Sequence, residues 1–238
     1  MFSSPLFTKV FLIISCMLVI TAITAQINRA FETRKEYWLT LIGSFITLIA
    51  IFALGNSFPL NLILVALFSG FMGWSIGPTI SYLGSRYQAN KEKKKHNLSL
   101  EEFNVSLRNN HLKVEDEWNK VVSTAIFATA GAVAATAFIV AFTDKDFSFL
   151  GGFLFIALLI LVITGFINAF FIKSSKIRLI KSYCGVVIFT LYLLYDFNTL
   201  EKMAKNDSWS VAINIAVQIY LDIINLFLSL LEILANDN

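Results

Sequence analysis

Two aspartates stand where a charged group is least favoured. Asp222, in "QIYLDIINLF" (218–227), follows Ile219, Tyr220 and Leu221 and precedes Ile223 and Ile224. Asp196 interrupts a second apolar run, "LYLLYDFNTL" (191–200). The residues around Asp222 repeat with helical spacing. Asn214, Gln218, Asp222, Asn225, Ser229 and Glu232 follow one another at intervals of three or four residues. At 100° per residue they fall within about an 80° arc. A polar stripe on one face of an otherwise apolar helix must be turned away from lipid.

The chemistry open to such a pair follows from its surroundings. An aspartate at the centre of a membrane helix costs about 2.5–3.5 kcal/mol on insertion scales, so it marks a functional site by default. Desolvation and mutual repulsion both disfavour two carboxylates side by side. The expected resting state is a pair that shares one proton and titrates as a unit. Once deprotonated, the pair suits a hard cation. Calcium takes 6–8 oxygens, and two carboxylates leave places for Asn214, Gln218, Asn225 or water. A plainer alternative also fits: both acids stay protonated and only hydrogen-bond two helices together.

What must position these acids is a membrane bundle. The chain has 238 residues, 57% apolar and 15% charged, with a mean hydropathy of +0.71. No Asp, Glu, Lys or Arg occurs in 37–85, 121–143, 147–172 or 182–195. Each run is long enough to figure in a span, which needs about 20 helical residues. A soluble all-helical core is the weaker reading, because soluble domains carry roughly 25% charged residues. Seven spans are expected, at about 10–25, 37–54, 60–83, 121–142, 149–172, 182–200 and 209–234. The second and third are separated by "GNSFP" (55–59), whose Gly, Asn, Ser and Pro are turn formers. The first could be taken for a signal peptide because "TAITAQ" (21–26) offers small residues. Its apolar run exceeds the usual h-region, and a transmembrane helix is the preferred reading.

Lysine and arginine counts orient the bundle. The loops on one side hold fifteen of them, and the other side holds only Lys9, Lys145, Lys202 and Lys205. The basic side is expected to be cytoplasmic, with the amino terminus outside and the carboxyl terminus inside. The fold class is therefore an all-α membrane protein, a single seven-transmembrane-helix domain over 1–238. A charged cytoplasmic insertion falls at about 86–118. Within it, Ser99 with Glu102 reads as a helix start, and Asn97-Leu98-Ser99 matches a glycosylation acceptor that a cytoplasmic location leaves unmodified. Its lysine run reads first as a positive-inside signal drawn to anionic headgroups, and second as a partner-docking loop. Beyond charge, nothing supports nucleic-acid binding.

Asp196 and Asp222 lie 13 residues on either side of Trp209. A turn near that point makes the sixth and seventh helices an antiparallel hairpin with both acids at similar depth. No basic residue is expected at that depth. Glu232 lies near the cytoplasmic end, where it can reach water. Trp38, Trp118 and Trp209 fall near span ends, as interface aromatics do, whereas Trp74 is expected to pack more deeply. Cys16 and Cys184 are isolated within spans, and His96 and His111 are isolated in the charged loop. No phosphate loop, nucleophile elbow, zinc motif or catalytic dyad is present. Neither an enzyme nor a resident cofactor is expected.

At this point a resemblance becomes specific. "LYLLYDFNTL" followed by "IYLDIINLFLSLLEIL" (219–234) resembles the last two helices of the Bax inhibitor-1 (transmembrane Bax inhibitor motif) family, bacterial type. "GFMGWSIGPTISYL" (70–83) is similar to the family's third helix, with Gly77-Pro78 at its cytoplasmic end, and "TDKDFSFLGGFL" (143–154) to the link into its fifth. The resemblance implies a seven-helix bundle. In members with paired aspartates it implies a pH-sensitive calcium leak, with Asp196 and Asp222 as proton sensor and calcium path. Calcium and protons would then be the ligands, in a bacterial inner membrane. Two departures qualify this. Leak-type members carry an arginine latch near the start of the third helix, where this chain reads "GNSFPLNLIL", and the 86–118 insertion is long for a compact bacterial member. "SFLGG" (148–152) resembles a branch without the aspartate pair, similar to modulators of a membrane-bound ATP-dependent protease. A non-conducting regulator of such a protease, or of a stress or cell-death partner, is the alternative.

Overall fold

The computed structural model describes residues 4–55, 57–96, 111–143, 145–206 and 208–236. Seven helices among them are long and apolar enough to cross a membrane. They are α1 (Pro5–Ile27), α2 (Arg34–Ala53), α3 (Leu60–His96), α4 (His111–Phe142), α5 (Leu150–Ile167), α6 (Ser175–Lys202) and α7 (Trp209–Leu234). Starts are set by local chemistry. Ser4 accepts a hydrogen bond from Phe7 N at 3.2 Å ahead of Pro5, and Thr33 accepts one from Glu36 N at 3.1 Å. Both are N-caps that satisfy donors a helix cannot pair internally. The end of α5 widens. Lys173 N donates to Asn168 O at 2.7 Å across five residues, a π-type turn over Asn168–Ile172. Lys173 then adopts φ 55°, and the Asn168 side chain bonds both the N–H and the carbonyl of Ser174.

Every expected span is present, but several ends differ, most of all those facing the expected insertion. Helix α3 does not stop near Leu83; it runs through Pro78 and on to His96. Helix α4 begins at His111 rather than Val121. Much of the expected insertion is therefore helical extension, and a tyrosine and a tryptophan join its two stalks. Tyr87 and Trp118 have ring centroids 5.7 Å apart, and Lys91 pairs with Glu117. Gly77-Pro78 lies inside a helix, not at its end. The Ser99 cap and the Asn97-Leu98-Ser99 acceptor lie outside the described residues.

Helix α7 is the axis. It packs against α1, α3, α4 and α6, and Ala212, Ile213, Ala216, Val217, Ile219 and Tyr220 are almost completely enclosed. By contrast, α2 leans mainly on α3, and α5 mainly on α6. Their outer faces present Leu39, Phe45, Ile46, Phe153, Phe155 and Ile160. In water such a surface would drive aggregation; against lipid tails it carries no penalty.

Helix α1 is an integral part of this bundle. Leu6, Val10, Ile13 and Met17 are buried in the common core. A polar tie fastens α1 to α3 and α7. Thr21 has a single hydroxyl proton and donates it to Ser69 O at 3.2 Å. Tyr220 must then donate to Thr21 Oγ1, 2.6 Å away. Below this tie the α1 and α3 backbones touch through Gly73 and Gly77, one turn apart. A Cβ on Gly73 would overlap Thr24 Oγ1 and the Thr21 carbonyl, and one on Gly77 would overlap the carbonyls of Asn28 and Ala25. Small residues four apart let membrane helices approach this closely.

Enlarging either glycine must push α1 off α3. Gly73→Leu or Gly77→Leu is expected to cost about 1–3 kcal/mol, the usual range for overpacking. A Cβ on Gly70 meets nothing within 4 Å, so Gly70→Ala serves as the neutral control. Thermal unfolding of the detergent-purified variants measures the difference.

Candidate functional site

Helices α6 and α7 form the expected antiparallel hairpin and bring the two acids together. Asp196 is 3% exposed and Asp222 7%, and their carboxyl groups lie within hydrogen-bonding reach of each other. Such a contact needs a proton between the two oxygens. Asp222 Oδ2 is sealed from solvent and receives no hydrogen bond from a donor group among the described residues. Among the described residues no cation reaches the pair, since the ion pairs join Arg86 and Arg178 to Glu232, Lys91 to Glu117 and Lys202 to Asp146. Tyr192, one turn before Asp196 on α6, lies close enough to feel both carboxyls. Sequence reasoning passed over it, although its i−4 spacing from Asp196 puts both residues on one face.

No member of the polar stripe of α7 is fully exposed, yet most are less buried than the helix's apolar residues. Asn214, Gln218, Asn225 and Ser229 are half-buried, and Asp222 and Glu232 are buried. Not all of them serve the acids. Asn225 Nδ2 donates to Leu221 O of its own helix at 2.8 Å. Asn214 lies just over two turns, about 12 Å, from Asp222, and its Oδ1 is buried without a donor. Ser229 fills the notch left by Gly185, where a Cβ would stand 2.6 Å from Ser229 Oγ. No group of three or more His, Cys, Asp or Glu able to hold a metal occurs among the described residues. The two acids are thus the anionic part of the site, and the stripe's amides line α7 above and beside them.

Glu232 departs from expectation. Instead of reaching water, it is 7% exposed and held between α3 and α6. Arg86 donates to Oε1 at 2.7 Å, and Arg178 Nε lies 3.0 Å from the same oxygen. The Arg178 contact is a charge pairing without hydrogen-bond alignment, because that nitrogen has no hydrogen-bond partner. Asn236 Nδ2 adds a bond to the Glu232 carbonyl at 2.6 Å. The partners lie 146 and 54 positions away in the chain, and no local pattern announces them. Trp74 also differs: its indole N–H donates to Glu36 at 2.7 Å, so it ties α3 to the start of α2. Where a latch arginine was absent, Asn61 is 1% exposed and donates to Gly55 O at 2.8 Å.

At the opposite end a second polar knot closes the bundle. Asp146 Oδ1 accepts from Lys202 Nζ at 2.7 Å, Ser148 N at 2.8 Å and Asn198 Nδ2 at 3.3 Å. The "TDKDFSF" link is thereby pinned to α6 two residues beyond Asp196. The Lys202 ammonium above all, and then the Ser148 N–H, hold the Asp146 carboxyl well below the usual carboxylate range.

Comparison with known proteins places this arrangement. The profile of the family described as "Inhibitor of apoptosis-promoting Bax1" matches residues 4–91 and 114–238. The chain belongs to this family. The gap in the match coincides with the insertion between α3 and α4. Bax inhibitor 1 of Schizosaccharomyces pombe is 28% identical over 245 residues, covering 97% of this chain and 77% of the relative. An uncharacterised protein of Campylobacter jejuni is 35% identical over 118 residues, 50% of this chain and 49% of the relative. The Golgi anti-apoptotic protein of vaccinia virus is 34% identical over 118 residues, 50% and 48% respectively. The latter two matches span about half of each protein.

Removing the Glu232 charge would leave two arginines without a counter-ion. Glu232→Gln is expected to lower stability by about 2–3 kcal/mol, less than a fully buried pair because Arg178 keeps some solvent. Thermal unfolding tests this. At the other end, a depressed carboxyl contributes stability above its unfolded pKa of about 3.9 and loses it as pH falls further. Protection of the 145–149 amides, their exchange relative to the intrinsic rate at each pH, is expected to fall as pH drops below about 4, and Asp146→Asn is expected to remove that fall.

Proposed function

We propose that this protein is a pH-sensitive calcium leak channel, gated by one proton shared between Asp196 and Asp222. The observation that carries this is the meeting of two buried carboxyls from adjacent helices, with no cation among the described residues to neutralise them. With the proton in place the pair is a short polar contact that holds α6 against α7. Without it, two anions face each other in a low-dielectric site, where repulsion is far stronger than in water. Deprotonation separates the helices and leaves oxygens with no donor, which a hard cation satisfies. Asp222 Oδ2 and Asn214 Oδ1, buried oxygens without a donor among the described residues, support a path along the α7 stripe. Gln218 and Asn225 flank it, and water completes the coordination. Partial coordination suits a leak, because an ion held tightly does not leave. The charged ends of the bundle are taken as cytoplasmic, and the membrane as a bacterial plasma membrane.

A second reading is favoured by relatives named for anti-apoptotic action. In it the chain does not conduct. It regulates a partner, either a cell-death or stress protein or a membrane-bound ATP-dependent protease, through the stalks of α3 and α4. The acid pair then serves only to hold the hairpin.

Calcium flux into proteoliposomes between about pH 6 and 8 separates the two readings. A single titrating proton allows flux to rise by up to about tenfold per pH unit. Asp222→Asn and Asp196→Asn are each expected to abolish that pH dependence. Flux indistinguishable from protein-free vesicles, or untouched by either substitution, would sink the leak reading and leave the regulator.

A further inference from the structure

Glu232 is outnumbered by the cations around it. Arg86 and Arg178 both pair with its Oε1. Lys181, nearly one turn along α6 from Arg178, lies close enough to feel both the carboxylate and the guanidinium. One carboxylate therefore serves three positive groups. Among the described residues the Lys181 ammonium has no hydrogen-bond acceptor. Arg178 Nε is sealed from solvent without an aligned acceptor, and its Nη2 reaches only Ser175 Oγ, at 3.4 Å. The missing partner is an anion.

The place also says what kind of anion. Lys181 Nζ lies against the α5 backbone, 3.1 Å from where a Cβ of Gly165 would stand. The ammonium thus sits in the seam between α5 and α6. Next to it along the two helices, Phe166 and Ile180 turn outward and are more than half exposed. A ligand with a negative head and an apolar body would use both features, whereas a small free anion would use only the first. Guanidinium and ammonium together suit a phosphate, with Arg supplying directed donors and Lys a point charge. Basic recesses between membrane helices take such headgroups.

We propose that Arg178 and Lys181 form a binding site for the phosphate of an anionic membrane lipid, whose acyl chains lie along the exposed seam between α5 and α6. This site lies apart from the acid pair, and the proposal does not rest on calcium conduction. Arg86 remains with Glu232, and the lipid phosphate takes the donors that Glu232 leaves over.

The test uses the full chain in phosphatidylcholine vesicles with trace spin-labelled phosphatidylglycerol or spin-labelled phosphatidylcholine. Electron paramagnetic resonance reads the motionally restricted fraction of each. Phosphatidylglycerol is expected to be preferred, with the preference falling about fivefold in Lys181→Gln and about as much again when Arg178→Gln is added. Lys181→Gln breaks no hydrogen bond of the protein, so its thermal midpoint should stay at the native value, and Lys181→Arg should restore the preference. Equal restriction of the two lipids overturns the proposal, as does a preference unchanged in both variants. Loss of the preference on adding inorganic phosphate at constant ionic strength overturns the lipid assignment in favour of free phosphate.

Discussion

Hydrocarbon supplies no hydrogen-bond donor, no acceptor and no counter-charge, so every polar group inside the membrane must find its partner within the protein. That constraint organises the whole molecule around α7. This helix carries more intramembrane polarity than any other, and accordingly it is surrounded by α1, α3, α4 and α6. Helices with little polarity to hide stay at the periphery: α2 buries only Thr40 and Thr47 among its polar side chains, α5 none, and both turn aromatic and branched side chains out. Position in the bundle thus follows from how much each helix has to satisfy internally.

Three polar assemblies occupy that interior at different depths, and each uses a different physical device. The Thr21–Tyr220–Ser69 tie is a neutral hydrogen-bond chain in which one hydroxyl proton fixes the direction of the next. The Asp196–Asp222 pair sets two buried carboxyls within reach of each other, a contact that a proton between them would hold. The Glu232 cluster uses full charges near the helix ends, where part of the arginine surface still meets solvent. Strong ionic pairing lies at the end of the bundle and the protonatable pair lies deeper. This order follows the cost of desolvating a full charge. Membership of a family whose named relatives range from yeast to a poxvirus fits a scaffold built on such general constraints.

Much of this was legible in the sequence because helical periodicity is local. The stripe from Asn214 to Glu232 can be read from spacing alone, and the symmetry of Asp196 and Asp222 about Trp209 makes their meeting foreseeable. The ends of α3 and α4 were misjudged for a related reason. Lysine-rich residues after Arg86 read as loop when hydropathy is the guide, yet a charged helix protruding from a membrane breaks no rule. Pairings at long range had no such signal. Nothing near Glu232 points to Arg86 or Arg178, and nothing near Trp74 points to Glu36. The Gly73–Gly77 contact did have one, a small residue four before another in an apolar helix, but only the close approach of α1 gives it meaning.

One consequence follows from the continuity of α7. The helix runs unbroken from Trp209 to Leu234, with Asp222 at its middle and Glu232 nearly three turns further on. Under the proposed gating, parting of the acid pair would be carried along this rod to the arginine clamp. Proton affinity at the pair and the arrangement of the clamp would then be linked, each changing the other by the same factor. The last helix is in this sense a thermodynamic shaft joining the membrane interior to its charged surface.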